Sequence, residues 1–317
     1  MIAAGTSLLS LSPEEQREYT LTDFESQMPR WCPGCGDSSV LVSMQRLLAN
    51  EGMAPDQTVF VSGIGCSGRF PHYLNTYGFH GLHGRALPVA TGVKLHRPDL
   101  NVFVVMGDGD CMSIGAGHWV HATRYNTDMV ALLLDNNVYG LTKNQTSPTT
   151  PQGHPTLTQP GGSYLPPLNP VSATLGISNA SFVAQTAEWL PPHLYATLQA
   201  ASRHKGFSFV RIMQRCPKFV DNIFSNYIEH PELIELIEHE DGVTVPALER
   251  THKVRRQHDP SDLDAARSLA EDEEVLRLGI FYRDADRPTY ETTRALPQHS
   301  AQEKLELLSE ELDRHAI

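Results

Sequence analysis

The stretch "LNVFVVMGDGDCMSIG", residues 100–115, decides the fold. Seven residues, nearly all apolar, run straight into two acids set between glycines and followed by a cysteine. A continuous apolar run of this length, closed by a glycine turn, reads as a strand buried on both faces. The same pattern recurs: "DQTVFVSGIG" (56–65), "DMVALLLDNN" (128–137), "SFVAQTA" (181–187) and "FSFVRIMQRCP" (207–217). Between these runs lie helix-periodic segments at 38–52, 84–98, 114–126 and 191–206. The last has proline at its start and glycine at its end, the usual polarity of helix punctuation. Strands alternating with helices predict an α/β fold, a parallel sheet flanked by helices on both faces. A long loop rich in Pro, Gly, Thr and Gln, 141–170, interrupts the rhythm, and loops of that length are often functional.

In an open parallel sheet the ligand lies beyond the carboxyl ends of the strands. Here the strand tips read "GIGCSGR", "GDGD", "DNNVYGLT" and "CP". Asp108 and Asn136 offer hard oxygen donors, which suit Mg²⁺ and not a soft metal. Mg²⁺ takes few protein ligands and shares its sphere with phosphate oxygens. Gly107 and Gly109 let the chain turn tightly and present backbone N–H groups to an anion. The helix that follows adds its positive end. "GDG" alone reads equally as a capped turn. "GDGD" followed by "NN" after 25 intervening residues (111–135), each closing an apolar strand, is a much narrower pattern.

The whole chain sets further limits. It has 317 residues, a net charge of -12 and 40% hydrophobic residues. That is enough for one large domain, and the acidic balance argues against nucleic acid. No twenty-residue apolar span or signal-like start appears, so the expectation is a cytoplasmic protein that does not cross a membrane. The five cysteines are Cys32, Cys35, Cys66, Cys111 and Cys216. An odd count in a reducing compartment argues against a disulfide framework. Cys32 and Cys35 form a CxxC pair, while Cys66 and Cys216 close strands. Four such thiolates suit one [4Fe–4S] cluster, a structural zinc, or, for the CxxC pair, thiol exchange. Cys111 has no CxxC partner and reads as a packed, inert thiol.

Taken together, "WCPGCGD", "GIGCSGR", "HGLHGRALPVATGVK", "GDGDCMSIG", "DNNVYGLTKNQTSPT" and "HKGFSFVRIMQRCP" resemble the beta subunit of the 2-oxoacid:ferredoxin oxidoreductases, of the 2-oxoglutarate type, over about residues 25–220. The resemblance implies a thiamine diphosphate-binding fold. It places Mg²⁺ on Asp108, Asn136 and the carbonyl of Val138. It sets Gly65, Cys66, His83, Gly107, Gly109, Asp110, Leu141 and Thr142 around the cofactor, and a single [4Fe–4S] cluster on Cys32, Cys35, Cys66 and Cys216. The implied reaction is reversible, coenzyme A-dependent oxidative decarboxylation of 2-oxoglutarate to succinyl-CoA, with electrons leaving to ferredoxin. His83 and Lys143 are the implied substrate-side residues. Lys143 stands where pyruvate-type relatives commonly carry glycine ("GLTGGQ"), and a lysine there suits the distal carboxylate of a dicarboxylic 2-oxoacid. Arg85 is a further candidate for a carboxylate or a partner chain. The alternatives are a pyruvate or broad 2-oxoacid enzyme, and a non-redox thiamine-dependent decarboxylase or carboligase subunit with zinc on the four cysteines. No second copy of the sheet is visible to supply the glutamate that activates the aminopyrimidine. An alpha subunit carrying it is therefore expected, in an (alpha–beta)₂ heterotetramer. The expected organisation is an N-terminal arm (1–28), a cofactor domain (29–220) and a less firmly folded C-terminal extension (221–317).

Overall fold

The computed structural model describes residues 18–220, 222–272, 274–294 and 299–315. Helix α1 (Asp37–Asn50) leads to strand β1 (Thr58–Ser62) and the edge strand β2 (Tyr77–His80). Then come α2 (Ala86–His96), β3 (Asn101–Gly107), α3 (Ala116–Tyr125) and β4 (Met129–Asp135). A small hairpin, β5 (Val138–Tyr139) and β6 (Gln145–Thr146), opens the long loop. The loop ends at α4 (Pro170–Leu175), followed by β7 (Phe182–Ala187), α5 (Pro191–Arg203) and β8 (Phe207–Met213). Beyond these lie α6 (Ser225–Glu229), β9 (Ile234–Glu238), β10 (Arg255–Gln257), α7 (Leu263–Glu271), β11 (Leu276–Arg283), α8 (Tyr290–Thr293) and α9 (Ala301–Arg314).

Nine strands form one sheet in the order β10-β9-β11-β7-β8-β4-β3-β1-β2. Every pairing is parallel except β11 against β7. The apolar runs are continuous because both faces are covered. Along β4, Val130, Leu132 and Leu134 enter one core with α1 and α5, while Met129, Ala131 and Leu133 enter the other. The second core holds Ala86, Leu87 and Ala90 of α2 and Trp119 of α3. Fully burying one such leucine is worth about 1.5–3 kcal/mol, so a polar residue anywhere in the run is costly.

Two expectations need correction. The C-terminal segment from 221 is not a loosely folded extension: β9, β11 and β10 continue the same sheet past β7. Their charges hid them. Glu235, only 7% exposed, accepts from Arg277 Nε at 2.7 Å and Arg256 Nε at 2.9 Å, so charges inside strands are neutralised by neighbouring strands. The arm is also more than an arm. Residues 1–17 lie outside the described residues, but Phe24 is fully buried in the first core and Glu25 bridges Leu74. No helix of the described residues is long and apolar enough to cross a membrane.

Two buried histidines link the fold to pH. His193 donates to or accepts from Thr186 Oγ1 at 2.8 Å, and His204 meets Ser181 Oγ at 2.8 Å. Burial lowers their pKa from 6.5 to about 3 and about 4 respectively. The unfolded chain therefore binds more protons below pH 6.5. The stability gained by keeping the rings neutral is complete above that pH and drains as pH falls toward 4 for His204 and 3 for His193. In thermal melts of wild type against His204→Gln, the variant's midpoint should gain on the wild type's as pH drops from 6.5 to 4. Parallel curves would contradict a neutral buried His204.

Candidate active site at the carboxyl edge of the sheet

Because β1, β3, β4 and β8 are parallel, their carboxyl ends open at one edge of the sheet. A cavity of about 370 Å³ lies there, lined among others by Gly65, Cys66, His83, Asp108, Asn136 and Gly140. Of the residues marked in the sequence, Gly107, Gly109, Asp110, Val138, Leu141 and Thr142 line it too. Lys143 does not. It sits exposed at the tip of the β5–β6 hairpin with φ +73°, next to Asn144 at φ +70°. Two consecutive left-handed residues make the turn, and that conformation favours glycine. Arg85 also stays out of the cavity, donating to the carbonyls of Gly84 (3.1 Å) and Ile114 (3.4 Å).

Asp108 is 2% exposed. Its Oδ2 accepts from Ser147 Oγ at 2.5 Å and Thr149 Oγ1 at 2.8 Å. The Thr149 hydroxyl also lies 2.7 Å from Asp135 Oδ1, and Asp135 in turn accepts from Arg211 Nε at 2.7 Å. Burial, followed by the Asp135 carboxylate, pushes the Asp108 pKa up to about 7. A buried carboxyl so disfavoured as an anion gains most from a cation. Ser147 and Thr149 escaped sequence reading, because nothing in "TSPTT" tells a loop hydroxyl that caps a turn from one that reaches a carboxylate 40 residues back.

Asn136 Oδ1 accepts from Val138 N at 3.2 Å, which turns the chain at the tip of β4. Gly109 has a specific cause. A Cβ there would stand 2.1 Å from the Tyr139 ring, whose hydroxyl donates to the Gly109 carbonyl at 3.1 Å. The next segment, Asp110–Ile114, is a π-turn, and its first residue organises the opposite wall. Asp110 Oδ1 accepts from Gly84 N at 2.7 Å and Ile64 N at 3.2 Å, and pairs with His83 Nδ1 at 2.7 Å. Burial raises the Asp110 pKa, and these donors work against the rise. His83 is therefore held by one ring nitrogen while the residue stays about one-third exposed.

The thiols gather beside this clamp. A Cβ built on Gly140 would lie 3.7 Å from Cys216 Sγ, 3.9 Å from Cys66 Sγ and 3.9 Å from the Asn136 amide nitrogen. Cys32 is exposed, Cys35 and Cys66 are half-buried, and Cys216 is buried. Gln214 Nε2 reaches Cys35 Sγ at 3.4 Å, and the Trp31 indole donates to the Cys66 carbonyl at 2.8 Å. Burial raises the thiol pKa of Cys35, Cys66 and Cys216, so metal binding here must displace protons. Asp37, also missed by sequence reading, lies fully buried in the same wall. Burial pushes its pKa up to about 7, only partly offset by the Cys35 thiol, and Glu188 adds to the rise. Cys111 is fully buried in the second core, and burial keeps it a neutral thiol. Among the described residues, no three His, Cys, Asp or Glu side chains converge tightly enough for one metal ion.

Comparison with known proteins agrees with this arrangement. Residues 63–212 match the thiamine pyrophosphate enzyme C-terminal TPP binding domain, and 248–296 match the C-terminal region of the pyruvate ferredoxin oxidoreductase beta subunit. The chain is 47% identical over 212 residues to the 2-oxoglutarate oxidoreductase subunit KorB of Mycobacterium tuberculosis, covering 67% of this chain and 56% of that one. It is 38% identical to a 2-oxoacid:ferredoxin oxidoreductase subunit beta of a Sulfolobus species, over 84% of this chain and 86% of the relative. Among solved structures it resembles the 2-oxoglutarate:ferredoxin oxidoreductase of Magnetococcus marinus, determined with 2-oxoglutarate, coenzyme A and succinyl-CoA bound. The TM-score is 0.79 at 35% identity, over 93% of this chain and 97% of that one. With its parallel sheet, its oxygen clamp and its thiols on one edge, the chain belongs to the beta subunits of the 2-oxoacid:ferredoxin oxidoreductases.

Proposed function

We propose that this chain is the beta subunit of a 2-oxoglutarate:ferredoxin oxidoreductase. It would convert 2-oxoglutarate and coenzyme A to succinyl-CoA and carbon dioxide, reversibly, and pass electrons to ferredoxin. The observation that carries the reading is the meeting at Gly140, where the clamp amide of Asn136 and two thiols lie within 4 Å of one point. A diphosphate clamp and a thiol nest that close make sense where a carbon centre must hand over electrons. Residues 29–220 hold every ligand of this scheme and form the cofactor domain.

The donor sets fit the groups. Asp108, Asn136 and the Val138 carbonyl are hard ligands for Mg²⁺, with Gly65, Gly107, Gly109, Asp110, Leu141 and Thr142 around the diphosphate. Cys32, Cys35, Cys66 and Cys216 are soft ligands for one [4Fe–4S] cluster. Zinc on the same four thiols is not favoured, since a single ion needs its ligands to converge and these do not. Thiamine diphosphate, when bound, supplies the electron sink that makes decarboxylation feasible. The chain's own work is to hold that diphosphate and to present His83 at the cavity wall. The Asp110 contact fixes the His83 ring by Nδ1, leaving Nε2 as the nitrogen able to hold or move a proton on the substrate side. Lys143, exposed at the hairpin tip between the cavity-lining residues Thr142 and Gln145, is the proposed partner of the distal carboxylate. An alpha subunit completes the site with the activating glutamate, in an (alpha–beta)₂ heterotetramer in the cytoplasm.

The reading is tested on protein co-expressed with its alpha subunit and purified without oxygen. Iron and acid-labile sulfide near four per beta chain, with 2-oxoglutarate-dependent reduction of a viologen, are the expected results; stoichiometric zinc without iron would sink the redox reading. Asp108→Ala should lower thiamine-dependent turnover at least ~100-fold while leaving iron content intact. Full activity in that variant removes Asp108 from the Mg²⁺ site. Lys143→Gly suits the left-handed backbone, so the fold should hold, and KM for 2-oxoglutarate should rise roughly tenfold or more with KM for pyruvate unchanged. An equal effect on both substrates would assign Lys143 to the turn and not to substrate choice.

A further inference from the structure

Cys32 is the exposed thiol of the four, and the surface around it has the opposite sign to the chain as a whole. The chain carries a net charge of -12. Yet the lip of the CxxC turn is cationic. Arg30 is exposed two residues before Cys32. Arg69, three residues after Cys66, donates to the Arg30 carbonyl at 3.4 Å, which sets the two cations side by side. The Arg30 amide is itself fixed to the Tyr73 hydroxyl at 3.0 Å. On the other side, exposed Lys218 follows Pro217, whose Cγ lies 3.9 Å from the Cβ position of Gly34. Lys218 therefore flanks the same turn from the Cys216 loop.

None of these three cations is paired with a carboxylate among the described residues. Their neighbour Arg215 shows the contrast, because it is consumed by an ion pair with buried Glu188. The two acids nearest the thiols, Asp37 and Glu188, are buried and present no negative charge to solvent. Between the cations the surface is small and uncharged, formed by the exposed residues Pro33 and Gly34. A partner can thus approach closely over the turn that exposes Cys32.

Resting on the oxidoreductase reading above, we propose that Arg30, Arg69 and Lys218 form the docking rim for a small acidic one-electron carrier protein, with its redox centre facing the Cys32 turn. Unpaired cations on an otherwise acidic protein steer an acidic partner to that one place and repel it elsewhere. With a cluster held by the four thiols, each docking event would move one electron, the cluster losing one and the carrier gaining one, with no bond or proton transferred. Two carriers leave for each 2-oxoacid oxidised, because the decarboxylation releases an electron pair.

The test uses the alpha–beta holoenzyme with 2-oxoglutarate and coenzyme A, and two acceptors, purified ferredoxin and methyl viologen. In the double variant Arg30→Glu/Lys218→Glu, kcat/KM for ferredoxin at low ionic strength should fall roughly tenfold or more, and its decline with added salt should flatten. Viologen reduction and iron content should stay at wild-type levels. The single neutralisation Lys218→Gln should fall between, which keeps the test decisive if the double variant folds poorly. An unchanged ferredoxin rate, a parallel loss with both acceptors, or release of the alpha subunit on gel filtration would each overturn the docking assignment. Failure of the underlying reading is separate: it would show as wild-type holoenzyme that lacks iron or 2-oxoglutarate-dependent viologen reduction.

Discussion

Two carboxylates side by side in a dry edge of the sheet form the constraint on which this structure turns. Gly107 pairs with Leu134 in the β3–β4 register, so the next residues, Asp108 and Asp135, are neighbours by construction. Like charges buried together cannot both be left bare. The fold resolves the two differently. Asp135 is neutralised by Arg211 from β8, and Asn137 Nδ2 donates to it at 2.9 Å. Among the described residues Asp108 receives neutral donors, the hydroxyls of Ser147 and Thr149 and the Gly109 backbone, and no cation. One acid is thereby made structural, and the other is kept short of charge compensation, the condition that the proposed Mg²⁺ would relieve. Thr149 ties both acids to the loop that follows the β5–β6 hairpin.

The sheet was legible wherever burial on both faces forced continuous apolar runs. The strands read at 56–65, 100–110, 128–137, 181–187 and 207–217 appear with trimmed ends. It was not legible where the sheet buries charge. β9 and β11 read as polar because Glu235 and Arg277 interrupt them, and only the strand pairing reveals that each residue cancels the other. A one-dimensional pattern records polarity but not partnership. For the same reason Asp108 and Asn136, which line the cavity, could be picked out from strand tips, whereas Ser147, Thr149 and Asp37 depend on contacts across long sequence separations.

Lys143 illustrates a second kind of ambiguity. Its departure from the glycine pair common in pyruvate-type relatives reads as chemistry. The backbone adds a conformational cost, since residues 143 and 144 both hold left-handed φ values that glycine adopts freely. Keeping a lysine and an asparagine there costs of order 1 kcal/mol each. A cost retained at the rim of a cavity is a reason to look for a function, and asparagine, the better-tolerated of the two in that region, is no surprise beside it.

The thiol site rests on a different physical footing from the clamp. Its cysteines come from turns, and turns need fastening. Gly36 N donates to the Arg215 carbonyl at 3.2 Å, and Ser39 Oγ to the Glu188 carbonyl at 2.8 Å. Arg215 closes on Glu188, so the residues following Cys35 and the one preceding Cys216 are tied to the tip of β7. Gly36 must lack a side chain for this, because a Cβ would stand 2.6 Å from Glu188. The buried ion pair adds little net stability, but losing one partner would strand a charge beside the thiols. Strand tips thus fix Asp108 and Asn136, and an ion pair anchored on a neighbouring tip fixes the turns that carry Cys35 and Cys216. The spacing between these two groups of side chains is then set by the sheet itself.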